Sequence, residues 1–193
     1  HNAVVGSLVR GLQELKISFN LNPSNDSKVY QTVIVLTDSY QLQKAINLKK
    51  NNKIKFLIVG PIFSVFSYEH NYLLNDKNID LILTPSIWSS KRYLDDLPSI
   101  KHKITEWYAG TNINYWKDFK KNRNYVLLYI KDKNYFNLKK IKNYLDLIKQ
   151  KFNIIVIYHG YYNDSNYLKL LNKSKFSIFF TQSESQGIAH LES

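Results

Sequence analysis

The sequence contains no cysteine and no methionine, and only 6 glycines and 4 prolines in 193 residues. Without cysteine there is no disulfide, no thiolate zinc site and no cysteine nucleophile. The lack of methionine, with His1 in first place, leads to the expectation of a piece trimmed at both ends from a longer chain. No apolar run approaches the length of about 20 residues that a membrane-spanning helix needs, and no signal-peptide pattern stands at the start. A cytoplasmic location is expected, with peripheral membrane contact as the alternative. The glycine patterns G-x-G-x-x-G, G-x-x-x-x-G-K-S/T and G-x-S-x-G are also absent, so dinucleotide, P-loop and hydrolase readings lack their signatures. No spacing of His, Asp and Glu suggests a metal cage, and no metal or cofactor is expected.

What the chain does have is an ordinary globular balance, 44% hydrophobic and 22% charged. Lys, Asn, Ile and Tyr are abundant, which reads as the bias of an A+T-rich coding sequence. Net charge is +12 and the pI about 9.6. Such a balance fits an anionic partner: nucleic acid, a lipid surface or a phosphorylated substrate. The lysines are scattered, however, and no recognition motif accompanies them, which disfavours nucleic acid. The densest stretch, Lys131 to Lys151, reads as the wet face of an amphipathic helix.

Hydrophobic periodicity alternates between strand and helix along the whole chain. Val4, Val5, Leu8, Leu12 and Leu15 predict a helix over about 3–16, and Ile17–Leu21 a short strand. Strands are predicted at Thr32–Thr37, Lys55–Val59, Ile79–Leu83 and Ile104–Tyr108, the first two as buried apolar runs. Helices are predicted over Tyr40–Lys50 and about Ile87–Asp95. A polar stretch, Thr111–Asn124, interrupts the pattern. It then restarts with strands at Tyr125–Ile130, Ile154–Tyr158 and Phe176–Phe180. The helices between them contain Leu138 to Ile148 and Tyr167 to Asn172, and a last helix opens at Gly187. This alternation predicts an α/β protein of two Rossmann-like domains with parallel sheets and helices on both faces. The expected division is 1–116, a linker over 117–124, and 125–193.

Ligands of doubly wound sheets bind beyond the carboxyl ends of the strands. Gly60-Pro61, Pro85-Ser86, His159-Gly160 and Thr181–Ser185 all follow predicted strands. The last of these opens the most informative segment, Ser183-Glu184-Ser185-Gln186-Gly187-Ile188-Ala189-His190-Leu191-Glu192. Two carboxylates, Glu184 and Glu192, stand as E-x7-E across a predicted loop and the first turns of a helix. A helix N-terminus suits a diphosphate, and a carboxylate within it can accept hydrogen bonds from a ribose diol.

This segment resembles the E-x7-E region of retaining glycosyltransferases of the GT-B fold, the large group 1 family. The resemblance implies that Glu192 binds the nucleotide ribose and Glu184 the transferred sugar. It implies backbone contacts to the donor from Gly187 and Ile188. Ser183 and Gly160, in the loops after predicted strands, are further donor-binding candidates. Ser185-Gln186 stands where the family has Gly-Phe, so no role carries over to those residues. Leu83-Thr84-Pro85-Ser86-Ile87-Trp88 is similar to the family's PS-x-W segment. Ala109-Gly110-Thr111-Asn112-Ile113-Asn114-Tyr115-Trp116-Lys117 is similar to its interdomain junction, with Asn112 in place of the usual Asp. The family's basic group at the end of the first strand of the second domain maps to Lys131, with Lys133 beside it. His70 lies where some members use a histidine, without their local pattern. The implied substrates are a nucleoside-diphosphate sugar and a glycan, lipid or protein acceptor. The family pattern also implies that the first strand with its glycine-rich loop, and the last elements of the second domain, lie outside this sequence. Two other readings stay open: a non-catalytic basic module for nucleic acid or anionic membrane, and a sugar-nucleotide epimerase of the same fold.

Overall fold

The computed structural model describes residues 2–23, 28–108, 110–119, 123–131 and 142–181. The chain forms two compact units, His1–Gly110 and Thr111–Ser193, both α/β with a parallel sheet of Rossmann-like type.

The first unit runs α1 (Asn2–Glu14), β1 (Tyr30–Val35), α2 (Ser39–Lys50), β2 (Ile54–Val59), β3 (Leu81–Thr84), α3 (Ile87–Asp96) and β4 (Ile104–Glu106). Short 3-10 turns at Ser67–His70, Leu73–Asn75 and Pro98–Lys103 fill the connections. Asp38 caps α2 by accepting from the Tyr40 and Gln41 amides, and Ser86 caps α3 by accepting from the Ser89 amide. The strands lie parallel in the order β1-β2-β3-β4. Every crossover therefore steps in the same direction, and right-handed crossovers of that kind fall on one face. The core shows this. Leu42 and Ile46 of α2, Tyr93 of α3 and Phe63 and Leu74 of the β2–β3 connection pack in one cluster with Leu57, Val59 and Ile82.

The other face carries Thr32 and Phe56, both exposed. β1 and β2 are thus not the doubly buried strands that their apolar runs suggest. β1 is also an edge strand. The strand expected at Ile17–Leu21 does not form. Its alternating apolar residues Ile17, Phe19 and Leu21 are exposed, because β1 has only β2 beside it and the segment pairs with no ladder.

The second unit runs β5 (Tyr125–Ile130), α4 (Lys142–Lys149), β6 (Asn153–Tyr158), α5 (Asp164–Lys173) and β7 (Ser174–Phe180). Its sheet order is β6-β5-β7, all parallel. The first strand is central, and the direction of travel reverses between α4 and α5, which puts the two helices on opposite faces. Side-chain alternation with period two agrees. Leu127, Tyr129, Ile157 and Phe179 pack with Tyr167, Leu170 and Leu171 of α5. Val126, Leu128, Ile178 and Phe180 pack with Leu145 and Ile148 of α4.

Residues 111–119 are fastened to this second unit. The Trp116 ring packs edge-on to Tyr167 at 5.6 Å. The Asn172 side chain, 6% exposed, accepts from the Phe119 amide at 2.6 Å. Its Nδ2 donates to the carbonyls of Lys117 and Leu168, both at 3.0 Å.

Two substitutions test these constraints. Gly60 follows β2 with φ +100, and a Cβ there would overlap the Leu83 carbonyl oxygen. Gly60→Ala should therefore cost about 2–4 kcal/mol, read as a lower urea midpoint at unchanged slope. Asn172→Leu keeps the volume and leaves the Phe119 amide and Lys117 carbonyl without their partner. It should cost about 2 kcal/mol by the same measurement; an unchanged midpoint would show that the 117–119 segment is not fastened through Asn172.

Candidate functional site

In the second unit the chain order reverses around β5, so the carboxyl ends of β5 and β7 flank a topological switch point. That is where open parallel sheets bind ligands. Lys131 is the first residue after β5, and its amide donates to the Phe180 carbonyl at 2.9 Å. β5 and β7 thus stay paired to their ends, and Lys131 and Thr181 emerge side by side from the crevice. On the other flank the His159 amide donates to the Ile130 carbonyl at 2.9 Å.

Gly160 forms part of a turn in which the Tyr161 amide donates to the Tyr158 carbonyl at 3.1 Å. Its φ is +80, and a Cβ there would meet nothing within 4 Å. The glycine is needed for its backbone conformation, not for space. The space it leaves is open at the rim of the sheet.

A polar chain reaches this rim from within. Tyr129 is 4% exposed, and a buried phenol needs a hydrogen-bond partner. Tyr162 donates its hydroxyl to the Tyr129 oxygen at 3.0 Å. The Tyr129 hydroxyl lies 2.6 Å from His159 Nδ1. The contact fixes the orientation of the imidazole, and His159 is exposed. The rim therefore presents an oriented imidazole beside Gly160. Tyr129 and Tyr162 carry no signal of this in the sequence. His159 does, as a polar residue directly after a strand.

The structure brings Lys131, His159, Gly160 and Thr181 to one end of one sheet. Glu184, Glu192, Gly187, Ile188 and Ser183 lie outside the described residues, as do Lys133 and His190. Asn112 accepts from the amides of Asn114 and Tyr115 at 3.0 and 3.2 Å. It shapes a turn that an aspartate would shape equally well. Among the described residues no group of three His, Asp or Glu could hold a metal ion. No helix among them is long and apolar enough to cross a membrane.

The first unit presents a different feature. His70 is 2% exposed, and among the described residues neither ring nitrogen has a hydrogen-bond partner; nor has the buried Ser67 hydroxyl nearby. The ring sits against Phe63 at 5.9 Å and Tyr93 at 6.3 Å between centroids. Burial pushes the imidazole below its ordinary value of 6.5, against the opposing pull of nearby carbonyls and of Glu69 and Asp96. These surroundings make His70 a neutral core residue. Trp88, in the PS-x-W segment, is exposed, while Ser86 of the same segment is a helix cap.

Comparison of the chain with protein-family models, with curated proteins and with solved structures finds no match.

The burial of His70 has a pH consequence. Its folded pKa is depressed, so the unfolded chain takes the proton first. The contribution is complete above pH 6.5 and is lost as pH falls from there toward the folded value. Each pH unit between the two values is worth about 1.4 kcal/mol. Urea unfolding from pH 7.5 to pH 5 should show this slope in the wild type. It should be flatter in His70→Leu and unchanged in His102→Gln; equal slopes in all three would remove His70 as its source.

Proposed function

We propose that this chain is part of a retaining glycosyltransferase that binds a nucleoside-diphosphate sugar at the carboxyl end of the second unit's sheet. The observation that supports this most is the switch point between β5 and β7. Lys131 stands at one lip, and the other lip leads, through Thr181, straight into the E-x7-E segment.

The chemistry asked of such a site is charge stabilisation. Cleaving the bond between sugar and diphosphate leaves the leaving group with additional negative charge. The Lys131 ammonium meets that charge, and the amides at Gly187 and Ile188, where the sequence predicts a helix start, add their dipoles. Glu192 accepts hydrogen bonds from the ribose diol. Glu184 contacts the hydroxyls of the transferred sugar. Gly160 and the His159 imidazole border the donor from the β6 side. No metal is assigned to the reaction, because no D-x-D pair stands at a suitable strand end in the sequence. The acceptor is a glycan, lipid or protein, and the proposed location is cytoplasmic or at a membrane surface.

Calorimetry with UDP, GDP and ADP tests the reading. One nucleotide should bind saturably. Glu192→Ala should weaken it by about tenfold to a hundredfold, the worth of hydrogen bonds to a charged acceptor. Lys131→Ala should lower kcat by about a hundredfold or more with a smaller effect on nucleotide affinity. A folded chain that binds none of the three, or binds one equally well without Glu192, overturns the proposal.

A further inference from the structure

At the opposite, amino end of the second unit's sheet lies a groove of about 410 Å³. Its lining includes Arg123, Lys149, Lys151 and Lys175, and no carboxylate. The fold brings these cations together from three separate places. Arg123 precedes β5. Lys149 ends α4, and Lys151 follows in the turn to β6. Lys175 enters from β7 through an irregularity in the ladder. Tyr125 pairs with Ser174 and Val126 with Phe176, so Lys175 is the extra residue of a bulge. Bulges re-aim side chains, and here the Lys175 ammonium sits 5.3 Å above the Phe152 ring. That ring is itself held edge-on by Phe176 at 5.6 Å.

Helix-dipole complementarity accounts for Lys149 and Lys151, which stand at the end of α4. It does not account for Arg123, which precedes β5, or for Lys175 of β7. Local carboxylates neutralise only part of the set. Asp146 lies 3.6 Å from Lys149 and Asp118 pairs with Arg123, but neither lines the groove. Lys151 has no ion pair among the described residues. A second depression of about 340 Å³ shares Arg123 and Lys175 and adds Lys117, with Asp118 on its wall. The cationic lining thus continues past the first groove.

We infer that this groove is an anion site for a ligand carrying two or more phosphate groups, separate from the donor site proposed at the carboxyl end. Lys151 and Lys175 have no ion pair among the described residues and stand beside Arg123 and Lys149, whose carboxylate partners lie outside the groove; a polyphosphate relieves the remaining repulsion while accepting charge-assisted hydrogen bonds. The groove is concave and of small-molecule size, which fits a phosphorylated headgroup or a free polyphosphate.

The test is calorimetric titration of the full chain with tripolyphosphate. Saturable binding is expected, weakened about tenfold for each cation removed in Lys151→Gln and Lys175→Gln. It should survive in Lys91→Gln, which removes a charge from the first unit. Binding that disappears in Lys131→Ala but persists in the Lys151→Gln/Lys175→Gln double variant assigns the anion to the other end and overturns the inference. So does a folded wild type that binds no tripolyphosphate. Co-sedimentation with phosphatidylcholine vesicles, with and without phosphatidylglycerol, separates the two sources. Charge-dependent sedimentation that tripolyphosphate competes away, and that the double variant loses, identifies a lipid headgroup. Tripolyphosphate binding without sedimentation identifies a soluble ligand. Nucleotide binding at the carboxyl end stands or falls by Glu192 and Lys131, so failure of one proposal is distinguishable from failure of the other.

Discussion

The second unit depends on one strand being covered on both faces. β5 has a hydrogen-bonded neighbour on each side and a helix above and below, and Val126 through Ile130 are all buried. A strand in that position must be apolar at every residue, not at alternate ones. The two faces belong to two different clusters, one under α5 and one under α4. Because the first strand is central, the following strands go to either side of it, and the crevice opens where they part. The one polar side chain among the buried residues of β5, the Tyr129 hydroxyl, cannot stay unpaired in such a core. It is drawn to Tyr162 and His159, and in satisfying itself it fixes the imidazole at the rim.

The first unit solves a different problem. Its strands step in one direction, so its crossovers gather on one face, and polar groups complete what apolar packing leaves. Asp80, just before β3, accepts from the Leu57 amide at 2.6 Å and from the Lys49 ammonium at 2.6 Å. That joins the end of α2 to the β2–β3 ladder. Lys103 is buried and donates to the Asp76 carbonyl at 2.7 Å. Burial lowers its pKa while Asp76 and Asp80 pull the other way. At the carboxyl end, Thr84, Ser90 and Glu106 form a chain with two contacts of 2.6 Å, fastening α3 to β3 and β4. These are hydrogen-bonding devices with specific partners, so substitutions within them leave buried polar groups behind.

The alternation of elements and the parallel class of both sheets were legible in the sequence, because buried strands and amphipathic helices differ in period. β5 is the clearest case: its predicted and observed bounds coincide at Tyr125–Ile130. Where a strand lies in its sheet was not legible. Thr32–Val35 reads like β5, yet β1 is an edge strand, since strand order is set by crossovers that a local pattern does not encode. Ile17–Leu21 alternates well and forms no strand, because pairing needs a neighbour. In the candidate site, Lys131 and Gly160 were legible from their place after strands. The Tyr129–His159–Tyr162 chain was not, because it joins a residue of β5 to two in the connection after β6. Nor was the cationic groove: lysines scattered in sequence converge only when β7 bulges at Lys175 and the turn after α4 closes beside it.

The two ends of the second unit's sheet differ in kind, and the difference bears on how the net charge of +12 should be understood. At the carboxyl end the cation among the described residues, Lys131, stands with aromatic hydroxyls, a histidine and a glycine turn. Such a set can orient and discriminate a ligand. At the amino end four cations converge among the carboxamides of Asn124, Gln150 and Asn153, and charge dominates the lining. Among the described residues of the second unit, the cations gather at the amino end. The sorting comes from the fold. Parallel strands put all their starts together, and Arg123 and Lys175 both stand at starts while Lys149 and Lys151 border the third. The same parallelism that gathers the strand ends into a candidate donor site thus gathers the strand beginnings into a cationic one.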